Sequence, residues 1–528
     1  MKKYNVLMVL ADQHNASLLG AAGHEQVKTP TFDRFAADGV RFTNAYTQNT
    51  ICTPSRVSVL SGQYCHNHGY YGLSGPTHFG LDNLFRHFKR NGYRTAGFGK
   101  LHLPDSPRNW VAEDVDEFGD TYESADGVVG ESPFLSYLEE RGLRRYEDSW
   151  HNAEEYGPGT ISHDAMPSKL PYEHTQERWC ADQAMRFMDE SGDEPFFIQV
   201  AFQKPHHPLL PNQEFWDMYP EDIELPATAA LEPAGRPPHF REAWERFQKR
   251  KWDYGPEGET PSSGAKRAWR GTLACITQID DVFSRLLSFL EERGLADDTI
   301  VIYSSDHGAY HGIHGIEEKA PGICSDAVCR VPMIWRVPGV TTPGTVVDDL
   351  VEAIDMAATL PGLCGLDPME SVDGLDIAPL LTGTGARGAG TNGDAPASGT
   401  SPTGAAPPAV TENVFAKAIR WDRWRMVYYP EAMFDGAEYG ELYDLESDPD
   451  ERTNLYEERP EIVREGMRKL TEWLVTTTRI VTTQPAIRTD GSTGRDIGGT
   501  RSYPTVSDGT APNWVQPRRR TNNNVNYL

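Results

Sequence analysis

Val6-Leu7-Met8-Val9-Leu10-Ala11-Asp12-Gln13 is the stretch that decides the fold. Its apolar residues run without alternation, the pattern of a strand covered on both faces, as strands of parallel sheets are. The run breaks at a carboxylate, and open α/β sheets gather ligands beyond the carboxyl ends of their strands. Alone, Asp12 would serve equally well as a cap for the next turn. The design recurs three times, however. Residues 93–98 lead to Lys100 and His102, residues 196–202 to Lys204-Pro205-His206-His207-Pro208, and residues 299–304 to Asp306-His307. Helical periodicity precedes each of these three strands, at 84–91, 176–190 and 268–293. Right-handed β-α-β crossovers then bring all four polar ends to one edge of one sheet. The expectation is an α/β fold: a large, mostly parallel sheet sandwiched by helices, with a smaller C-terminal α+β subdomain.

Between the first two of these strands, 29–36 reads as a capped helix and 40–46 as a strand leading to Asn49-Thr50-Ile51-Cys52-Thr53-Pro54-Ser55-Arg56. Pro54 suits a first helical turn and Gly62 a helix end. Cys52 then lies at a helix N-terminus, where unpaired N–H groups favour negative charge, with the fixed cation of Arg56 one turn on. The alternative is a small buried thiol. On an extended segment Lys100 and His102 point to the same side. Cys65 and His68 have a zinc-like spacing but no second pair, so local packing explains them. His307 and His311 would suit zinc on a helix, which Gly308, Gly312 and Gly315 oppose. His207 reads as structural.

The chain has 528 residues, 38% of them hydrophobic, and a net charge of −27. That charge argues against a nucleic-acid partner and requires a locally positive pocket for any anionic substrate. Seven scattered cysteines give no disulfide framework. No apolar stretch is long enough for a membrane span, and the apolar run after Lys2 and Lys3 is short for a signal peptide. The expectation is a cytoplasmic protein with no membrane partner.

Cys52-Thr53-Pro54-Ser55-Arg56 resembles the Cys-x-Pro-Ser-Arg signature of the type I, formylglycine-dependent sulfatases of the alkaline phosphatase superfamily. Gly99-Lys100-Leu101-His102 is similar to that family's Gly-Lys-Trp-His, with Leu101 in place of Trp. Pro205-His206-His207-Pro208 matches Pro-His-x-Pro, and Asp306-His307-Gly308 with His314 and Lys319 follows the family's spacing. The resemblance implies that Cys52 is oxidised to formylglycine by a formylglycine-generating enzyme. It implies one divalent metal, Ca²⁺ first, then Mg²⁺ or Mn²⁺, on Asp12, Asp306, His307 and the modified Cys52. Many sulfatases carry a second Asp where this chain has Gln13, whose amide oxygen is the expected fifth donor. The resemblance further implies that Arg56 stabilises the ionised hydrate and that Lys100, His102, His206 and Lys319 bind the sulfuryl group. The activity implied is sulfate-ester hydrolysis, on an aryl sulfate, a sulfated carbohydrate or another small organic sulfate. A phosphonate monoester or phosphodiester hydrolase is the alternative, and an inactive binding protein on the same scaffold a remoter one. A homo-oligomer stays open.

The domain expectation is a catalytic domain at 1–382, a flexible Gly/Ala/Pro/Thr-rich linker at 383–410, a C-terminal subdomain at 411–480 and an extended tail at 481–528. Residues 104–171 read as polar insertion loops around the pocket mouth. Residues 441–455 match the family's C-terminal signature, and 460–475 form a closing helix.

Overall fold

The run after Asn5 forms β1 (Asn5–Ala11) at the centre of an eight-stranded sheet in the computed structural model. The structure describes residues 3–479 except 74–77, 79, 106–108, 122–131, 157–164, 254–260, 320–322, 384–406, 415 and 435. The other strands are β2 (Val40–Tyr46), β3 (Arg94–Gly99), β4 (Glu117–Asp120), β5 (Phe196–Ala201), β6 (Thr299–Ser305), β7 (Arg330–Arg336) and β8 (Thr345–Glu352). Their order is β4-β3-β5-β1-β6-β7-β2-β8, with β7 alone antiparallel to its neighbours. The four strands with polar ends are therefore adjacent and parallel.

The unalternating sequence of β1 has a direct cause. Val6, Met8 and Leu10 pack on one face with Val57, Leu60, Phe85 and Met356. Leu7 and Val9 pack on the other with Ala184, Phe187, Ile279 and Leu286. Each buried aliphatic side chain contributes about 1.5–3 kcal/mol, so a polar residue on either face would be costly. The crossover helices are Leu84–Arg90, Gln176–Ser191 and Pro261–Glu292, the last starting seven residues before the expected 268. Asn83 caps the first, its side chain accepting the Arg86 N–H at 2.9 Å.

A second sheet pairs β9 (Ala409–Glu412), β10 (Lys417–Trp421), β11 (Trp424–Tyr428) and β12 (Gly440–Asp444) in antiparallel order β12-β11-β10-β9, and the Pro460–Thr477 helix packs on it. Both sheets lie in one compact unit that extends to Thr476. At the end of β9, Glu412 N–H donates to the Gln48 carbonyl at 2.7 Å, and just past it the Asn413 side-chain amide donates to Thr50 Oγ1 at 3.0 Å. The small sheet thus braces the segment that leads to Cys52.

Two expectations need correction. Residues 104–171 are not loops throughout: β4 extends the main sheet, and helices span Pro133–Glu140 and Ser149–Glu154. Asp116, just before β4, ties that strand to β3, its carboxylate accepting the Thr95 N–H at 2.8 Å. Nor are residues 100–102 extended. Leu101 N–H turns back to the Gly99 carbonyl at 2.9 Å and His102 adopts φ +46°, so alternation does not apply. Most of the expected linker and the tail from 480, with Trp514 and Arg518-Arg519-Arg520, lie outside the described residues. No described helix is long and apolar enough to cross a membrane.

Candidate active site

Cys52 opens the helix Cys52–Ser61, which ends at Gly62 in the left-handed conformation, φ +69°. The helix is buried along its whole length, so a thiol at its first residue faces the sheet edge and not solvent. Cys52 Sγ lies 3.8 Å from Asp12 Oδ1, 3.3 Å from His307 Nε2 and 2.9 Å from Lys319 Nζ. One ligand atom from each of Asp12, Cys52, Asp306 and His307 lies within 4.8 Å of the others, and all four residues are buried.

Arg56 ties these parts together. Its Nε donates to Asp306 Oδ2 at 2.9 Å, one terminal nitrogen to Asp12 Oδ2 at 3.2 Å, and the other to the Lys100 carbonyl. None of these three hydrogen bonds goes to the Cys52 sulfur. Lys100 Nζ reaches Asp12 Oδ2 at 2.6 Å. Thr47 and Ser55 both donate to the Asp306 carbonyl, fixing the turn that presents its side chain.

Charge sets the protonation of the cluster. Burial pushes Asp12 up, but Lys100, His206, Lys319 and Arg56 together hold it well below the usual carboxylate range. Burial raises Asp306, with Arg56 opposing and the Asp12 charge adding to it. Burial and Asp12 push the Cys52 thiol up, and Lys319, Lys100 and His307 overcome them, so it ionises well below an ordinary thiol. His307 is raised by Asp306 despite burial. Its Nδ1 is taken by the Gly308 carbonyl at 2.8 Å, which aims Nε2 at the cluster.

Gln13 occupies the left-handed region, φ +68°, and His311 Nε2 holds its carbonyl at 2.8 Å. The Gln13 amide oxygen accepts from Lys319 Nζ at 3.0 Å. Gln13, His102, His311 and His314 all have positive φ in loops beyond the strands, the kind of backbone strain that gathers at functional sites. His206 is half-buried, and its Nδ1 is taken by the His207 carbonyl at 2.6 Å, leaving Nε2 open. Burial, then the Lys100 charge, lowers its pKa well below the ordinary imidazole value.

Asp12, Gln13, Cys52, Arg56, Lys100, Asp306, His307 and Lys319 are thus joined by direct contacts. His206 enters through its charge coupling to Asp12, Lys100, Lys319 and Cys52. His102 makes no hydrogen bond through Nδ1 among the described residues and stands apart from this contact network. Two supports escaped the sequence reading, Thr47 and the Glu177 carboxylate behind Lys204, while His311, weighed there only as a zinc ligand, instead holds the Gln13 carbonyl. Glu177 carries no sequence signal at all, being one acid in a polar helix start.

The Sulfatase family model matches residues 4–366. Human iduronate 2-sulfatase is 29% identical over 403 residues, covering 69% of this chain and 69% of its own. The multifunctional alkaline phosphatase superfamily protein PehA of Trinickia caryophylli is 28% identical over 403 residues, covering 72% and 77%. Among solved structures, the phosphonate monoester hydrolase SpPMH of Silicibacter pomeroyi superposes with a TM-score of 0.74 at 22% identity, covering 93% of this chain and 99% of that one.

Proposed function

The chain belongs to the sulfatase family and is a sulfuric ester hydrolase; we propose that its nucleophile is the hydrate of a formylglycine made from Cys52, working with one divalent metal. The observation that carries this reading is the convergence of Cys52 with two buried carboxylates and an imidazole within 4.8 Å. Those donors fit a hard divalent cation, Ca²⁺ first, with Mg²⁺ or Mn²⁺ also suited to the set. The Lys319 ammonium supports the fit, sitting 2.9 Å from Cys52 Sγ, 3.0 Å from Gln13 Oε1 and 3.2 Å from His307 Nε2, so these groups already surround a positive charge. Asp12, Asp306 and His307 would hold the metal, with Gln13 contributing its amide oxygen. When bound, the cation supplies Lewis acidity, and the aldehyde hydrate supplies one hydroxyl to attack sulfur and a second to expel sulfate.

The rest falls to the chain's own side chains. Arg56 keeps Asp12 and Asp306 at a fixed separation and orientation through a rigid guanidinium fork. Lys100 and Lys319 place two ammonium groups beside the reacting position, where charge growing on the sulfuryl oxygens meets donors already aimed. His206, with Nδ1 committed to a carbonyl, offers Nε2 to the ester or its leaving group, and His102 assists in binding. Cys52 is 1% exposed in the folded chain, so a formylglycine-generating enzyme would act on it before the chain folds. The iduronate 2-sulfatase relative supports a sulfated carbohydrate as substrate.

Two ammonium groups and an imidazole recognise any tetrahedral anion, so phosphonate monoester or phosphodiester hydrolysis is the second reading. The test is turnover of an aryl sulfate, a phosphonate monoester and a phosphodiester by one preparation coexpressed with a formylglycine-generating enzyme, with Cys52→Ala as blank. Highest kcat/KM on the sulfate, abolished in Cys52→Ala, is expected. Dominant turnover of a phosphorus ester would hand the site to the second reading.

A further inference from the structure

The loop after β5 carries His206 between Pro205 and Pro208. Phe202 N–H still reaches the Leu10 carbonyl at 2.8 Å, and His206 N–H closes a turn onto the Gln203 carbonyl at 3.0 Å. Between them stands Lys204, and it is anchored twice by one side chain. Its N–H donates to Glu177 Oε1 at 3.1 Å and its ammonium to Glu177 Oε2 at 2.8 Å. The carboxylate is fully buried and the lysine side chain 10% exposed.

Glu177 lies in the first turn of the Gln176–Ser191 helix, where the helix dipole favours a negative charge. That helix is rigid: Ala181, Ala184 and Phe187 pack in one cluster with Ile198 and Val200 of β5. A single carboxylate therefore joins the sheet-packed helix to both the backbone and the side chain of a residue two positions from His206. Burying such an ion pair is costly, and a well-packed apolar pair of the same volume often serves stability as well. Its geometry makes sense as a device for aiming a loop.

We propose that Glu177 is a positioning residue for the reaction, holding His206 toward the substrate through Lys204. The proposal rests on His206 binding the ester, as argued above. A misplacement of about 1 Å at a reacting group costs on the order of 100-fold in rate, which sets the scale of the effect.

The experiment is a double-mutant cycle of Glu177→Gln and His206→Ala on the matured enzyme, with metal and formylglycine content matched and kcat and KM measured on the best substrate. Glu177→Gln keeps the shape and loses the charge. It is expected to lower kcat/KM by about 10- to 100-fold in the native background, and by under about 2-fold once His206 is alanine, since contacts acting through one group are non-additive. Lys204→Arg, which keeps the ion pair, is expected to retain most of the activity. If Glu177→Gln proves insoluble, Lys204→Met runs the same cycle. Equal losses in both backgrounds, or no loss in either, would overturn the positioning role. Full activity in His206→Ala alone would remove the premise about His206, a failure distinct from additivity.

Discussion

Replacing Arg56 by Met tests how the site is held together. Arg56, Asp12 and Asp306 are all fully buried, and the guanidinium supplies a hydrogen bond to each carboxylate and a third to the Lys100 carbonyl. The variant leaves two buried carboxylates facing one another, with Lys100 on Asp12 as the remaining close ion pair besides His307. Removing one partner of a buried ion pair costs about 3–5 kcal/mol. Unfolding entropy near 2.1 cal/mol/K per residue over roughly 470 residues gives about 1 kcal/mol/K. The expected drop in Tm is therefore about 3–5 °C in the presence of a chelator. A divalent cation between the same carboxylates neutralises the exposed charge, so millimolar Ca²⁺ should raise the variant's Tm by more than it raises the native protein's. Arg56→Lys should recover less than half of the loss, because an ammonium cannot fork across two carboxylates. The assay is differential scanning calorimetry of the native protein and both variants, with chelator and with Ca²⁺. An Arg56→Met variant that melts with the native protein under chelator would refute the account of Arg56 as the clamp.

Two further outcomes follow from the small sheet and the helix that begins at Cys52. Burial opposes ionisation of Glu412, but the hydrogen bond from His66 and the charge of Lys417 outweigh it and bring its carboxyl down from 4.5 to about 2. A depressed carboxyl stabilises the fold fully above its unfolded value, and that stabilisation, about 3 kcal/mol, is lost as pH falls from about 4.5 to about 2. Glu412→Gln should thus lower Tm at pH 7 and flatten the acid limb of the Tm–pH curve; an unchanged limb would show that Glu412 is not the group titrating. Gly62→Ala puts a Cβ 2.7 Å from Val372 and 3.0 Å from Ala357 at a left-handed residue, a loss of about 1–3 kcal/mol. Its Tm should fall by a few degrees, and a neutral result would mean the helix end repacks freely.

The sequence alone determined the scaffold and the edge of it where the candidate site residues gather. The apolar run at 6–10 and the largely apolar runs at 196–202 and 299–304 read as strands covered on both faces, and the helical segments before the later two supplied the crossovers. Period and burial are local properties, so they can be read from a linear string. The motif residues around Cys52 and Asp306 were legible through their resemblance to the sulfatase signatures, each lying just past a recognisable strand or at a recognisable helix start.

Tertiary structure decided which of those residues touch. That Arg56 binds carboxylates 44 and 250 positions away, that Lys319 lies against Cys52, and that β9 braces residues 47–50 depend on long-range register. His102 shows the limit from the other side: its neighbours suggest a strand, but the chain turns because Gly99 takes φ +106° and Leu101 N–H closes onto the Gly99 carbonyl. Glu177 is the sharpest case. A buried carboxylate acquires its meaning from the desolvation it suffers and the Lys204 cation that offsets it, and both are set by packing between segments that the sequence keeps 27 residues apart.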